Sequence, residues 1–278
     1  MNRVRSAEEY RELVRLTKER TGKTDTNCVI MSSEMERYIL QDRLYARTFP
    51  EGLALYIDEG RYYEMYYFWA VGSPLPDLRA DKPVSAVEIG TAGRKTDHLE
   101  RMEQRFPQAG FELYKTTLQL EADLRALGSD LTAEYERRTA MVKEQGLTLT
   151  YCPDELLPQV HSLWAEYLDL ADVPMDHLRM DEESKILCAV TGDGQVAAVQ
   201  WWKCGNRSSE GRHTVTHPAF YRRGLASCLL LSQFVYTRDR GVNRVYTWIN
   251  DDNVRSLAAH EKVGFSTNGR IAKQFVLK

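Results

Sequence analysis

Long apolar runs are missing from this sequence. The longest, 228–236, carries Ser232 and Gln233 inside it and falls well short of the ~20 residues that a membrane helix needs, so no membrane partner is expected. The opening segment, MNRVRSAEEYRELVR, lacks the apolar core of a secretory signal. Cysteine is scarce: Cys28, Cys152, Cys188, Cys204 and Cys228 form an odd, scattered set without a C-x-x-C pair. Such a set reads as reduced thiols in a cytoplasmic protein. An excess of one charge is also absent. The 37 Lys+Arg stand against 40 Asp+Glu, a formal charge of -3, which argues against a nucleic-acid partner held by a broad basic field.

What is present is the composition of a globular protein, 43% hydrophobic and 28% charged. The 278 residues are long for one domain and suggest two. A polar stretch over 129–146, closed by Gly146, has too few apolar residues for a core and reads as a helical linker between 1–128 and 147–278.

In the second half the periodicities alternate between two and 3.6. Strands are expected at 147–151, 186–190, 195–202, 212–216, 243–249 and 265–277, and helices at 153–168, after Gly224, and at 253–263. Thr191-Gly-Asp-Gly194 marks a hairpin. The result is an α/β (α+β) fold, a mixed sheet with helices packed on it. In the first half, helices are expected at 7–18, 33–45 and 98–106, a hairpin over 53–58 and 61–71, and strands at 83–90 and 110–120. The aromatic run Tyr62-Tyr63-Glu-Met-Tyr66-Tyr67-Phe68-Trp69 reads as a strand buried on both faces rather than a stacking platform for bases. Strand, helix, Gly110-Phe111 and strand repeat the ending at Gly264-Phe265, which suggests that the halves share a fold.

The turn Thr216-His-Pro-Ala-Phe-Tyr-Arg-Arg-Gly-Leu-Ala226 follows a strand and opens a helix. Free backbone N–H groups at the positive end of the helix dipole, a glycine without a blocking side chain, and Arg222 and Arg223 make a cradle for pyrophosphate. A solvated basic helix start is the other reading. Downstream, Asn253, Ser256 and His260 fall on one helical face over about 10 Å, which suits an elongated ligand.

These two segments, within 147–278, resemble the GNAT superfamily of N-acetyltransferases. The superfamily's turn is Gln/Arg-x-x-Gly-x-Gly/Ala, and Tyr221-Arg222-Arg223-Gly224-Leu225-Ala226 keeps its Gly and final small residue, with Tyr221 departing at the first position. The second motif is met by Asn253, Ser256, Glu261, Lys262, Gly264 and Phe265, with His260 where many members carry Tyr. The resemblance implies an acetyl-CoA-dependent enzyme that transfers the acetyl group directly to a primary amine of a small molecule or peptide, as a monomer or homodimer and without a metal. It places the pantetheine arm along Val215 and Thr216, and a proton donor for the leaving thiolate at His260. It also suggests Glu210 as the base, against the plainer reading of an exposed loop carboxylate. A non-catalytic acyl-CoA-binding protein is the rival.

His213 and His217 share a strand face but lack a third ligand for zinc. Asp169, Asp172, Asp176, Asp181, Glu182 and Glu183 crowd the segment after the first helix of 147–278. They would draw in a cationic amine unless they are only a solvated helix face. The first half looks like a GNAT-like copy without a cofactor site, because 72–82 is too short for the helix that should follow a phosphate turn.

Overall fold

In a computed structural model, which describes residues 1–30, 32–91, 97–128, 130–168 and 180–278, the chain forms two compact units. The first is Met1–Thr117 with Gly269–Lys278, and the second is Leu118–Asn268.

In the first unit, Ser6 opens helix α1 (Ala7–Thr21) by accepting a hydrogen bond from the Glu9 amide, and Gly22 closes it at φ 69. The short strands β1 (Asn2–Arg3) and β2 (Thr24–Thr26) flank this helix, and α2 (Ser32–Leu40) follows. The helix expected over 33–45 stops at Leu40, because the chain turns through Asp42 at φ 58 and leaves as strand β3 (Leu44–Phe49). Then come β4 (Gly52–Asp58), β5 (Tyr63–Ala70) and β6 (Val84–Thr91), with no helix over 71–83. Helix α3 (Asp97–Gln108) leads into β7 (Glu112–Asp123), which divides between the units at Thr117. The strand order is β1-β3-β4-β5-β6 and then β13 (Ser266–Leu277), with β2 added to β5. Both faces of β5 are covered, as its aromatic composition suggested. Tyr63, Met65, Tyr67 and Trp69 enter one core with Phe106 and Phe111, and Phe68 enters another with Met35 and Leu55.

The second unit contains α4 (Asp130–Glu144), the helix read as a linker; it packs inside the unit, with Leu131 and Val142 buried. It continues with β8 (Leu147–Tyr151), α5 (Leu157–Leu168), β9 (Ser184–Thr191), β10 (Val196–Cys204), β11 (Ser209–Thr216), α6 (Leu225–Asp239), β12 (Arg244–Asn250) and α7 (Val254–Glu261). The strand order is β12-β11-β10-β9-β8, with β7 beside β12. The β9–β10 turn forms as its sequence dictates: Gly194 takes φ 84 and the Gln195 amide donates to Thr191 Oγ1 at 2.9 Å. Buried Leu229, Cys228 and Trp202 hold α6 on the sheet from one side, and Trp164 of α5 packs on Trp201 from the other.

The two Gly-Phe endings are superimposable in their bonding. The Phe111 amide donates to the Phe106 carbonyl at 2.9 Å and the Phe265 amide to the His260 carbonyl at 3.2 Å. Gly110 and Gly264 both take a positive φ, 88 and 102, to turn the chain out of the helix. His260 is therefore the second unit's counterpart of Phe106.

Candidate functional site

The site is built on β11. One edge of this strand pairs with β10 from Ala198↔Thr216 to Cys204↔Ser209, and Arg212 is the extra residue of a bulge between Trp201↔His213 and Trp202↔Gly211. The other edge is parallel to β12, and this register runs only from Ser209↔Val245 to Gly211↔Thr247. It ends where the bulge begins. A bulge bends and twists its strand, so 212–216 diverge from β12 and a wedge opens beside them. Val215 is buried among Val199, Trp201 and Val160, and its backbone is taken up too: the His217 amide donates to the Ala197 carbonyl at 2.9 Å, so in this register Val215 falls opposite Val199 as a hydrogen-bonded pair, and the backbone groups that face the open edge are those of Thr214 and the half-buried Thr216.

The chain leaves β11 through His217, whose Nδ1 accepts the Ala219 amide at 3.2 Å and fixes a short 3-10 turn over Pro218–Phe220. Arg222 at φ 63 and Gly224 at φ 78 are both left-handed, and Gly224 caps α6 without a side-chain bond. The first intrahelical bond is Cys228 N–H to the Gly224 carbonyl at 3.1 Å, so the amides of Leu225, Ala226 and Ser227 precede the helical ladder. Leu225 is buried and anchors the turn by its side chain. An added Cβ on Gly224 would meet only Arg138 Nη1, at 3.6 Å.

That arginine was not foreseen. Arg138 stands on α4, far away in sequence, with Nε bonded to Glu134 at 2.8 Å. Just past the same helix, Gln145 Nε2 donates to the Arg223 carbonyl at 3.1 Å and pins the turn. A second guanidinium comes from α7, where Arg255 lies 4.4 Å above the Tyr221 ring. Tyr221 stands where the GNAT pattern has Gln or Arg, and this stacking returns a cation to that position. Four arginines, 138, 222, 223 and 255, thus surround a turn of unpaired amides.

Ser256 and His260 do lie on α7 and Asn253 caps its start, but the helix uses much of their polarity. Asn253 Oδ1 accepts the Ser256 amide at 3.0 Å as the N-cap. His260 is only 4% exposed, and its ring lies 5.1 Å from that of Phe265. Its Nδ1 is 2.8 Å from the Ser256 carbonyl. A carbonyl only accepts, so Nδ1 carries the proton and Nε2 of the neutral ring has none to give. Burial pushes its pKa below the ordinary imidazole value, against the pull of the Ser256 carbonyl. The expected acid role needs an imidazolium that this environment opposes.

Glu210 lies on the opposite face of β11 from Ser209 and Gly211. The Ser209 hydroxyl accepts Gln233 Nε2 of α6 at 2.9 Å, whereas Glu210 pairs with Arg212 at 3.1 Å. On the same face, Trp201 and His213 meet Trp164 of α5 at 5.9 and 5.6 Å between centroids. Tyr167 reaches His217 at 6.0 Å. Trp164 and Trp201 are buried, so the side chains of this group that reach the surface are the half-buried Tyr167, Glu210, His213 and His217. Of the acidic segment, Asp169, Asp172 and Asp176 lie outside the described residues. Asp181 caps its own turn, accepting the Glu183 and Ser184 amides at 2.8 and 2.6 Å, and Glu182 and Glu183 are exposed. Among the described residues no cluster of three metal-binding side chains occurs, and no helix is long and apolar enough to cross a membrane.

The sequence model of the Acetyltransferase (GNAT) family matches residues 153–265, and no curated protein matches the chain. A tandem GNAT protein from the clavulanic acid biosynthesis pathway, solved without acetyl-CoA, superposes with a TM-score of 0.63 at 15% identity, over 97% of this chain and 94% of that one. A GCN5-related N-acetyltransferase from Sphaerobacter thermophilus gives 0.52 at 12% identity, over 99% and 94%. The glucosamine N-acetyltransferase region of a fungal multi-domain GH3 β-N-acetylglucosaminidase gives 0.59 at 10% identity, over 81% and 31%. The fold is that of tandem GNAT proteins, GNAT-like in its first half as well. Residues 153–265 are a domain of the GNAT acetyltransferase family.

Proposed function

We propose that the second unit is an acetyl-CoA-dependent N-acetyltransferase acting on a primary amine of a small molecule or peptide. One observation carries this reading: a single strand-turn-helix unit combines a wedge beside 212–216 with a turn of unpaired amides ringed by arginines. The donor set fits the coenzyme. The amides of 225–227, Arg222, Arg223, Arg138 and Arg255 would hold the pyrophosphate, with Gly224 leaving the approach open. The outward-facing backbone groups of Thr216 and Thr214, rather than those of Val215, which β10 already uses, would pair with the pantetheine amides as an added strand.

Bound there, acetyl-CoA supplies an activated acyl group as a thioester. The protein's share is placement: His213, seated on the buried rings of Trp164 and Trp201, orients the amine, and an N–H of β11 stabilises negative charge on the carbonyl oxygen. The amine nitrogen bonds the acyl carbon, the C–S bond breaks, and the ammonium proton passes to Glu210 directly or through water. A thiol titrates near about 8.5, so water suffices to protonate the leaving thiolate. His260 then serves as packing under the α7 face rather than as acid.

The rival, a protein that binds acyl-CoA without turning it over, draws support from Tyr221 and from the buried, neutral His260. Incubation with acetyl-CoA and a panel of amines, including a polyamine, an aminoglycoside and short peptides, separates the two by thiol release. Binding without release for every amine favours the rival, and failure to bind acetyl-CoA removes both.

A further inference from the structure

The first unit contains the same split in its sheet, and its contents can be named. There β5 pairs with β4 along one edge, from Gly52↔Trp69 to Asp58↔Tyr63. Its other edge is parallel to β6 and registers only at Tyr63↔Val84 and Glu64↔Ser85. This is the arrangement of β11 between β10 and β12. Beyond the split, β2 lies antiparallel on β5 with Thr24↔Ala70, Asp25↔Trp69 and Thr26↔Phe68. In the gap sits the side-chain amide of Asn27. It donates from Nδ2 to the carbonyls of Met65 on β5 (3.1 Å) and Val87 on β6 (3.3 Å), and accepts the Tyr67 amide at 3.0 Å. One side-chain amide thus meets a carbonyl and an N–H two residues apart on one strand, as the N–H and C=O of a single residue of an added parallel strand do.

The inserted segment is bolted down. Asp25 is 5% exposed, and its carboxylate takes hydrogen bonds from three side chains on one face of α3: Arg101 at 2.5 Å, Arg105 at 3.2 Å and His98 at 3.2 Å. His98 also bonds Glu88 at 2.8 Å, and Glu88 accepts the Tyr67 hydroxyl at 2.7 Å. A buried carboxylate with three cationic or imidazole partners is costly to withdraw, since removing either side strands charge in the interior.

We propose that segment 24–27 is a built-in ligand of the first unit, filling with a strand and one side-chain amide the slot that the second unit offers to pantetheine, so that the chain holds one coenzyme site. The comparison rests on reading the β11 wedge as that slot. It gives a fuller reason to expect no cofactor site in the first unit than the missing helix does: the slot persists and is occupied.

The test uses the full chain. Hydrogen exchange of the ligand-free protein should show slow amides over 67–70, and Asn27→Ala should speed exchange of the Tyr67 amide about tenfold, in keeping with the loss of its buried acceptor. Asp25→Asn, a milder change, should raise exchange over 24–27 and at the Trp69 and Val71 amides that face this segment, even if Asn27→Ala fails to fold. Titration with acetyl-CoA should give one site per chain, weakened at least tenfold by Gly224→Val. Exchange unchanged in the variants, or two coenzyme sites in the wild type, overturns the proposal. If the wild type binds no acetyl-CoA while Asn27→Ala still accelerates exchange, the acetyltransferase reading fails and the occupied split stands.

Discussion

The role of His260 is decided by replacing it with the residue found at the equivalent place in the first unit. His260→Phe removes one hydrogen bond, Nδ1–H to the Ser256 carbonyl at 2.8 Å, worth about 0.5–1.5 kcal/mol. That carbonyl keeps its backbone donor in the helical ladder. Against the loss stands the burial of a more apolar ring at a site 4% exposed, packed at a steep angle against Phe265 as Phe106 is against Phe111, worth roughly 1–2 kcal/mol. Stability at pH 7.5 should therefore lie within about 1 kcal/mol of wild type. The pH profile adds a sign. The imidazole's pKa is lowered in the folded protein, so below the ordinary value near 6.5 the unfolded chain takes up a proton that the buried ring refuses. The contribution of neutral His260 is present above that value and lost as pH falls, and His260→Phe should remove this acid-side loss. General acid catalysis typically contributes 10²–10⁴-fold, about 2.7–5.5 kcal/mol in activation energy, so the two roles differ by more than the stability change. Thiol release, acetyl-CoA affinity and thermal unfolding at pH 5.5 and 7.5 read all of these. A hundredfold fall in kcat with affinity and stability intact would refute the packing role and restore His260 as the acid.

Gly224→Val places a β-branched side chain at φ 78, a backbone cost of about 1–2 kcal/mol, and sets its methyls over the amides of 225–227. Acetyl-CoA affinity by calorimetry should fall at least tenfold, and unchanged affinity would remove the phosphate turn from the site. Arg138→Ala should weaken acetyl-CoA by about 10- to 100-fold, the worth of one charge-assisted bond of 1.5–3 kcal/mol, and leave acetyl-pantetheine, which lacks the phosphates, unaffected. Equal losses for both ligands would mean that α4 acts only by packing. Glu210→Gln should lower kcat at pH 7 about a hundredfold at constant acetyl-CoA affinity, and an unchanged rate assigns the base to water.

The strand-turn-helix around Gly224 was legible because its signals are local: an apolar alternation, one glycine, adjacent arginines and a 3.6 period. The β9–β10 hairpin and the Gly-Phe endings were legible for the same reason. Arg138 was not, because its place beside Gly224 depends on α4 packing against α6, which no local pattern encodes. The polar faces of α4 suggested a linker, although Leu131 and Val142 suffice to seat it. Strand β3 was absorbed into a helix because the turn at Asp42 uses neither Gly nor Pro, and Asp tolerates the left-handed region. Strand β2 spans three residues and owes its pairing to β5 and Asn27 rather than to a period of its own. The face shared by Asn253, Ser256 and His260 follows from spacing alone, but spacing cannot say that the helix itself uses the Asn253 oxygen and the His260 proton.

Within one chain the two units separate what the fold needs from what the chemistry needs. Both keep the parallel pair that splits after two or three residues, and both keep the helix ending in Gly-Phe with an aromatic or imidazole ring packed on that Phe. These common parts follow from packing: the split leaves backbone groups that something must satisfy, since buried amides without partners are costly. In the first unit Asn27 and β2 satisfy them from within, and no helix follows β5. In the second the strand instead runs into Arg222, Arg223 and Gly224 at the head of α6, where the amides stay unpaired beside four guanidinium groups. Unpaired donors at that density are poorly explained by stability, which Asn27 shows how to serve more simply. They are well explained by an anionic ligand with a peptide-like arm, and that contrast, more than any single motif, supports the proposal of an acyl-transfer site in the second unit.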